Sequence, residues 1–432
     1  MTQLKAFKFR IYPTEDQRAE LAIQFGHARF VYNAALDLRK DVYFASKETF
    51  GYESCTNALA SVKKNNADLD WLNQADSQVL QQSLKDLDKA FDRYFDMCRE
   101  GTLPKPGKKP RKDGMPKGYP KFHSKHDDQS IRYPQRFKIK HASIYLPKVG
   151  WVKLVKHCAV KGTPRSATVS KAKSGKYFVS ILCAIKTKYK PTPVEGEIGI
   201  DLGLIDFVSL SNEDKIPAPK FYRHVERTLK IRQRRLSRKL ETKKANDLWI
   251  NRDKGDKSIK KAAQRISATH EKIKNQRLDF HHQLSRKLVN QYGLIAFESL
   301  NVKGMMQNGH LAKSIGDAGW TQFVNFVTYK QTWAGGEIKH ADRFFPSSKL
   351  CSDCGHKNTS LKQHQRGWVC SNCAAIHDRD TNAAINILKQ TTAGAAESNA
   401  VGHMSSSSRH SAPEQVQPHE QLSLFALEAN VL

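Results

Sequence analysis

Polar and apolar positions alternate with period two at the start of the chain, then switch to a helical period within a few residues. Lys5 to Tyr12, KAFKFRIY, reads as a strand with one buried face and one positive face, ended by Pro13. Thr14 and Gln17 have capping-box spacing, and Leu21, Phe25, Ala28, Tyr32 and Ala35 recur behind them at helical intervals. A second helix is predicted from near Asp76, with Leu80, Leu84, Leu87, Phe91 and Cys98 as its core stripe and Gln78, Gln82 and Lys85 on the opposite face. Short alternating runs follow at Ile131 to Ile139, Ser143 to Leu154, Ala167 to Val169 and Tyr177 to Ile185. They predict a small β-barrel or sheet that the N-terminal strand joins, so the helical block between them is an insertion. Lys186 to Pro193 reads as the linker out of it.

Beyond the linker the order changes. Glu197 to Leu210, EIGIDLGLIDFVSL, is two apolar runs around an Asp-x-Gly turn, with Ile198 and Ile200 on one face of the first and Asp201 on the other. Long helix-compatible text from Phe221 to Asn290, interrupted around Asn251 to Lys257, precedes a buried strand at Gly293 to Leu300 that carries Glu298 near its end. A helix is predicted over Trp320 to Trp333, a strand over Glu337 to Phe344 and an Ala/Ile/Leu-rich helix over Thr381 to Leu388. After Gln390 the text becomes low-complexity, and disorder is expected over 391–432.

Charge alters this picture most. The 432 residues, enough for roughly three domains, contain 72 Lys and Arg against 42 Asp and Glu, a formal charge of +30. Between Phe221 and Asn290 the balance is 21 basic to 7 acidic. Helices so lopsided would repel themselves unless an anion lay against them, and nucleic acid is the natural counter-charge. An anionic membrane is the alternative, but the longest apolar run, Phe178 to Ile185, is too short to span a bilayer. No signal peptide is recognisable, so a cytoplasmic protein, bacterial or archaeal, is expected. From Leu103 to Lys125 eight basic residues sit among Pro and Gly, with aromatics at Tyr119 and Phe122. Such a run is most often a solvated linker, but the interleaved aromatics make it a candidate to order on RNA, with phosphate contacts from Lys105, Lys108, Lys109, Arg111 and Lys112 and base stacking on Tyr119 and Phe122. Core packing is the plain expectation for the second helix; on its opposite face Gln78, Gln82 and Lys85 are candidates for reading DNA base edges.

Two constellations carry chemistry. Cys351, Cys354, Cys370 and Cys373 form C-x2-C, fifteen residues, C-x2-C, the spacing of a four-thiolate zinc site; two disulfides or a rubredoxin-like iron centre are the competing uses. Cys55, Cys98, Cys158 and Cys183 are scattered and expected to be reduced and buried. Asp201 and Glu298 end strands, and Asp380 lies just after the last knuckle where a helix starts, with Asp378 competing for that place. Three carboxylates brought to one sheet edge would repel one another unless cations lay between them. Two Mg2+ ions about 3.5–4 Å apart resolve the conflict and would support phosphodiester hydrolysis.

The succession IGIDLGL, AFESLNVKGM, FPSSKLCSDCG with WVCSNC, and DRDTNAAINI resembles the TnpB (OrfB) proteins of insertion sequences, relatives of the compact type V CRISPR nucleases. KAFKFRIYPTEDQ and SQVLQQSLKDLDKAF resemble the same family, so the similarity runs from Lys5 to about Gln390. It implies an α/β plus β-barrel multidomain chain: a wedge barrel (1–12 and 127–190), a helical recognition insert (13–126), an RNase H-like RuvC nuclease domain (191–345 and 376–390) and an inserted, target-nucleic-acid-binding zinc ribbon (346–375). It further implies Asp201, Glu298 and Asp380 as the magnesium-binding catalytic triad. The partners it implies are a guide RNA of the omega type from the element's end and double-stranded DNA cut beside a short flanking motif. A nuclease-silent, RNA-guided repressor and a transposase accessory protein acting on element ends are the rival functions, and charge with a triad of acids would equally suit a junction resolvase.

Overall fold

A computed structural model describes residues 2–103, 114–186, 194–245, 257–362 and 364–397. The chain divides into two units, Met1–Lys188 and Tyr189–Leu432.

In the first unit, strand β1 (Thr2–Tyr12) buries Phe7, Phe9 and Ile11 and turns Lys8 and Arg10 to the other face, where both cations lie over the Phe178 ring. Helix α1 (Glu15–Ser46) begins with the expected reciprocal cap: Gln17 N donates to Thr14 Oγ1 at 3.3 Å and Thr14 N donates to Gln17 Oε1 at 3.1 Å. Helix α2 (Tyr52–Asn65), a 3-10 turn (Ala67–Gln74) and helix α3 (Ser77–Arg99) follow; Leu36, Leu72, Leu80, Leu84 and Leu87 are all almost fully buried between them. Asp76 caps α3 and binds Arg136 at 2.9 Å. Strands β2 (Gln129–Tyr133), β3 (Lys138–Lys140), β4 (Ser143–Leu146), β5 (Gly150–Val155), β6 (Thr163–Lys171) and β7 (Tyr177–Lys186) complete an antiparallel sheet ordered β2-β6-β7-β1-β5-β4-β3. The expected barrel is therefore an open sheet among the described residues, its two edges being β2 and β3. The single strand expected over Ile131 to Ile139 breaks at Pro134, which cannot donate to a ladder, and at Arg136, whose φ of 61° reverses the chain and sends the two pieces to opposite edges.

The second unit opens with an antiparallel meander, β8 (Glu197–Leu202), β9 (Asp206–Leu210) and β10 (Lys215–Pro217). Helices α4 (Phe221–Ala245) and α5 (Lys257–Gln291) pack on each other and lead to β11 (Leu294–Glu298), which is parallel to β8. Helices α6 (Val302–Met305), α7 (Ala312–Ala318) and α8 (Trp320–Ala334) precede β12 (Glu337–Ala341), parallel to β11; the hairpin β13 (Gly367–Val369) and β14 (Ile376–Asp378) leads into α9 (Arg379–Glu397). The five-stranded sheet is ordered β10-β9-β8-β11-β12. One face, through Ile198, Ile200, Ile295 and Phe297, joins a core with Leu284 and Leu288 of α5 and Phe323 and Val327 of α8. The other, through Leu294 and Ala296, packs on Ile387 of α9. The strand expected to reach Phe344 ends at Ala341, and α9 runs through residues 391–397, past the expected start of disorder; 398–432 lie outside the described residues.

Gly199 lets α9 lie directly on β8. A Cβ there would come within 3.0 Å of Leu388 Cβ and 3.1 Å of the Ala384 carbonyl carbon, closer still to its oxygen. Backbone cannot swing aside as a side-chain tip can, so Gly199→Ala is expected to destabilise the second unit by about 3 kcal/mol or more, read as a fall in its denaturant midpoint. An unchanged midpoint would refute the close approach.

Candidate active site and metal centre

Strand alternation decides which side chains meet. With Ile198, Ile200 and Leu202 committed to the α5–α8 core, Gly199 and Asp201 must face α9; the same parity on β11 sends Ala296 and Glu298 there. Because β8 and β11 are parallel, with Ile200 beside Phe297, Asp201 and Glu298 emerge at the same end of neighbouring strands. Asp380 stands in the first turn of the helix covering that face. Burial, then the charge of Glu298, then that of Asp380 push the Asp201 carboxyl up to about 7, against the pull of Arg379 and Arg366. Burial also raises Glu298. Burial first, and the neighbouring acids second, thus penalise the ionised carboxylate at this sheet end, a penalty that a bound divalent cation would relieve.

Asp378 and Asp380 play different parts. Asp378 Oδ1 accepts from the N–H groups of Asp380 (3.2 Å) and Thr381 (3.0 Å), capping α9, while Oδ2 pairs with Lys215 at 2.7 Å. Partial burial would raise its pKa, but the Lys215 ammonium and the Thr381 N–H outweigh it and hold the carboxyl below the usual range. Asp380 instead takes both oxygens to Arg366 Nη1, at 2.8 and 2.6 Å. Arg366 was not singled out in the sequence; its place just before β13 gave no sign that it would reach the acid.

All eight described cysteines are free, so the disulfide alternative falls. The Sγ atoms of Cys351, Cys354, Cys370 and Cys373 lie within 4.8 Å of one another, the one such group of three or more His, Cys, Asp or Glu ligand atoms among the described residues; the three acids do not meet that limit. The two knuckles are copies of each other: Cys351 N donates to His356 O (2.9 Å) and Gly355 N to Cys351 O (2.9 Å), as Cys370 N does to Ala375 O (2.8 Å) and Ala374 N to Cys370 O (2.9 Å). Gly355 and Ala374 close them at φ of 74° and 61°. Asn372 and the His356 N–H draw the Cys354 thiol down to about 6, while, against the pull of the Ala375 N–H, neighbouring sulfurs push Cys373 up to about 12, so the four thiols cannot all ionise unless a cation lies between them. The donor set and its spacing fit zinc. His377 Nε2 lies 3.0 Å from Cys351 Sγ, an outer contact the pattern did not reveal. Of the other cysteines, Cys55 and Cys183 are buried as expected, but Cys98 and Cys158 are exposed. The stripe that predicted Cys98 runs out of neighbours at the last turn of α3, and Cys158 lies in the loop between β5 and β6.

The knuckles are also bound to α9. Asn382 and Asn386, one turn apart and buried, each donate to the carbonyls of Ser347 and Leu350; Asn382 Oδ1 accepts from Ser352 N at 2.8 Å. The loop entering the first knuckle is therefore tied by side-chain hydrogen bonds to the helix carrying Asp380.

Of the expected nucleic-acid contacts, Lys105, Lys108, Lys109, Arg111 and Lys112 lie outside the described residues. Gln78 and Gln82 are partly exposed, and the Lys85 ammonium lies over Tyr52. Tyr119 is not an open stacking ring: it packs edge-on against Phe91 and Tyr94 at 5.4 and 5.2 Å, because its apolar face completes the core of the helical block. Phe122 is exposed, with Lys40 4.5 Å from its centre. Tyr43, Phe44 and Phe95 are also exposed, with Lys47 over the first two; none lies in the Pro- and Gly-rich basic text that marks out Phe122.

Among the described residues no helix is long and apolar enough to cross a membrane. A family model described as OrfB_IS605, Probable transposase, matches residues 180–309; a Cas12f1-like TNB domain matches 320–387, and an OrfB_IS605 helix-turn-helix domain matches 1–48, where the structure has one strand and one continuous helix. A Streptomyces pristinaespiralis protein named "Putative RNA-guided DNA endonuclease" is 34% identical over 419 residues, 95% of each chain. "Putative RNA-guided DNA endonuclease InsQ" of Escherichia coli K12 is 28% identical over 90% of this chain and 92% of its own. Among solved structures, that of the Cas12f1-sgRNA-target DNA complex covers 89% of this chain and 98% of its own at 15% identity and a TM-score of 0.49, a likeness that adds nothing to the assignment. Identity at this level across almost the full length of both chains places the protein in the TnpB/OrfB family of insertion-sequence proteins, with a Cas12f1-like TNB domain.

Proposed function

We propose that the protein is an RNA-guided DNA endonuclease whose second unit is an RNase H-like, RuvC-type nuclease interrupted by a zinc ribbon. Asp201, Glu298 and Asp380 would hold two Mg2+ ions, and the four cysteines one structural Zn2+. The observation that carries the reading is the convergence of three carboxylates at one end of β8 and β11 under α9, where Glu298 and Asp380 add to the burial that raises Asp201. When bound, the cations would activate water and polarise the phosphoryl group. The chain's own contribution is placement. β8 and β11 fix two acids on a rigid sheet, Gly199 brings α9 down onto β8, and Asp378, engaged with the helix N-terminus and Lys215, leaves Asp380 as the acid turned to the site. Arg366 holds Asp380 by both oxygens and so stands where a cation is required.

Sequence reading is assigned to the RNA partner, a guide of the omega type, because base pairing specifies a target that the basic surface alone cannot. The protein should copurify with RNA transcribed from its own element, and this complex should cut DNA matching the RNA only when a divalent cation is present. Cleavage that survives ribonuclease treatment would overturn the guided mechanism; strand-joined products would favour transposition chemistry instead.

A further inference from the structure

Phe344 is 89% exposed, the most exposed large apolar side chain among those the structure leaves in solvent. It does not sit on a loose loop. Asp342 N donates to Gln390 Oε1 (3.3 Å) and Gln390 Nε2 donates to Asp342 Oδ2 (3.2 Å), fastening the turn after β12 to α9. Phe345 N donates to Asp342 O at 3.0 Å, the Phe345 ring packs beneath α9 beside Leu294, Ala296 and Ile387, and the Ser347 carbonyl is gripped by Asn382 and Asn386. One phenyl ring is thus anchored and its neighbour is pushed rigidly outward. The Arg343 guanidinium lies 5.4 Å from the centre of the Phe344 ring. Arg343 also lines a cavity of about 390 Å3 together with Glu298, Ser299, Asn301, Thr321 and His340. The turn therefore begins level with the acid end of the sheet, since Ala341 pairs with Glu298.

An exposed aromatic face beside a guanidinium that itself lines a cavity reaching a candidate metal ligand matches a nucleotide in its two parts: base on ring, phosphate on cation. We propose that Phe344 and Arg343 form a stacking platform that holds a nucleotide of the single-stranded DNA entering the site next to the scissile bond. They are positioning residues that set where the strand lies relative to Asp201, Glu298 and Asp380. The platform rests on the nuclease reading, and deepens it. A protein partner for the exposed ring is the competing use, and it would leave DNA signals unmoved.

The test uses the RNA-bound full chain in an Asp201→Ala background, with matched DNA carrying 2-aminopurine at successive positions around the cut. Quenching confined to one or two adjacent positions is expected; Phe344→Ala should abolish it and Phe344→Trp restore it. In the cleavage-competent protein, Phe344→Ala and Arg343→Gln should each slow single-turnover cleavage by roughly 5- to 100-fold, the span that base–aromatic stacking commands, and Phe344→Ala should shift the cut position. Because Phe344 is exposed, the melting temperature should not change. Unaltered quenching and unaltered cleavage in Phe344→Ala would overturn the platform. Fluorescence is read on bound, uncut DNA, so a wild-type protein that cuts nothing would sink the nuclease reading while the platform is still judged by its quench.

Discussion

Asp201→Asn is expected to abolish cleavage while leaving the metal-free protein at least as stable as the wild type at pH 8. Loss of one carboxylate from a two-cation clamp removes several kcal/mol of transition-state stabilisation, about 10^3-fold in rate or more. The stability claim follows from the sign of the shift. The ordinary carboxyl value is 3.8 and the folded one about 7, so between those limits the folded state keeps a proton that the unfolded chain has released. Stability of the metal-free protein therefore falls as pH rises through that window, and the penalty is complete above pH 7. Glu298, also raised, acts in the same direction. The neutral amide has nothing to ionise. In chelator, Asp201→Asn should melt above the wild type at pH 8, by at most a few kcal/mol, and the gap should close near pH 4. Mg2+ should stabilise the wild type and not the variant. Equal melting at every pH would mean that the Asp201 carboxyl is neither desolvated nor crowded by like charge in the folded protein.

Removing the zinc-binding capacity should have a comparably large effect by another route. Structural zinc in small domains supplies roughly 10–16 kcal/mol of folding free energy, and among the described residues the hydrophobic cluster of the module from Cys351 to Cys373 buries just Cys351, Cys370, Leu361 and Trp368. Cys370→Ser, or strong chelation, should unfold the knuckles and free the Ser347 and Leu350 carbonyls from Asn382 and Asn386. Hydrogen exchange in the first two turns of α9 should then accelerate, Asp380 should lose its fixed place, and cleavage should vanish although no acid has been altered. Zinc content of one per chain, or unchanged protection of α9, in Cys370→Ser would contradict the arrangement.

The elements that were legible in the sequence are those whose period is enforced by a single neighbour. β1 alternates because one face meets the unit's core, and the α1 cap was readable because Thr14 and Gln17 need nothing beyond their own turn. Asp201 and Glu298 could be placed on strand ends by parity alone. Tyr119 could not be separated from a stacking residue, because an aromatic among lysines reads the same whether its ring meets a base or Phe91. Arg366 and His377 were hidden for a related reason: their contacts cross 14 and 26 residues, and no local period records them. The broken strand at Pro134 to Arg136 was missed because a non-glycine left-handed residue leaves no compositional mark.

The position of α9 in the chain has a consequence for biosynthesis. A ribosome delivers the acids on β8 and β11 first, then the four thiols, and the acid of α9 last. Ile387 and Leu388 can pack on the sheet as soon as the helix emerges, but until the knuckles have folded and Asn382 and Asn386 have bound the Ser347 and Leu350 carbonyls, the first turns of α9 lack their hydrogen-bonded anchor. On the proposed reading, a chain that stops before α9 lacks Asp380 and should not cleave DNA.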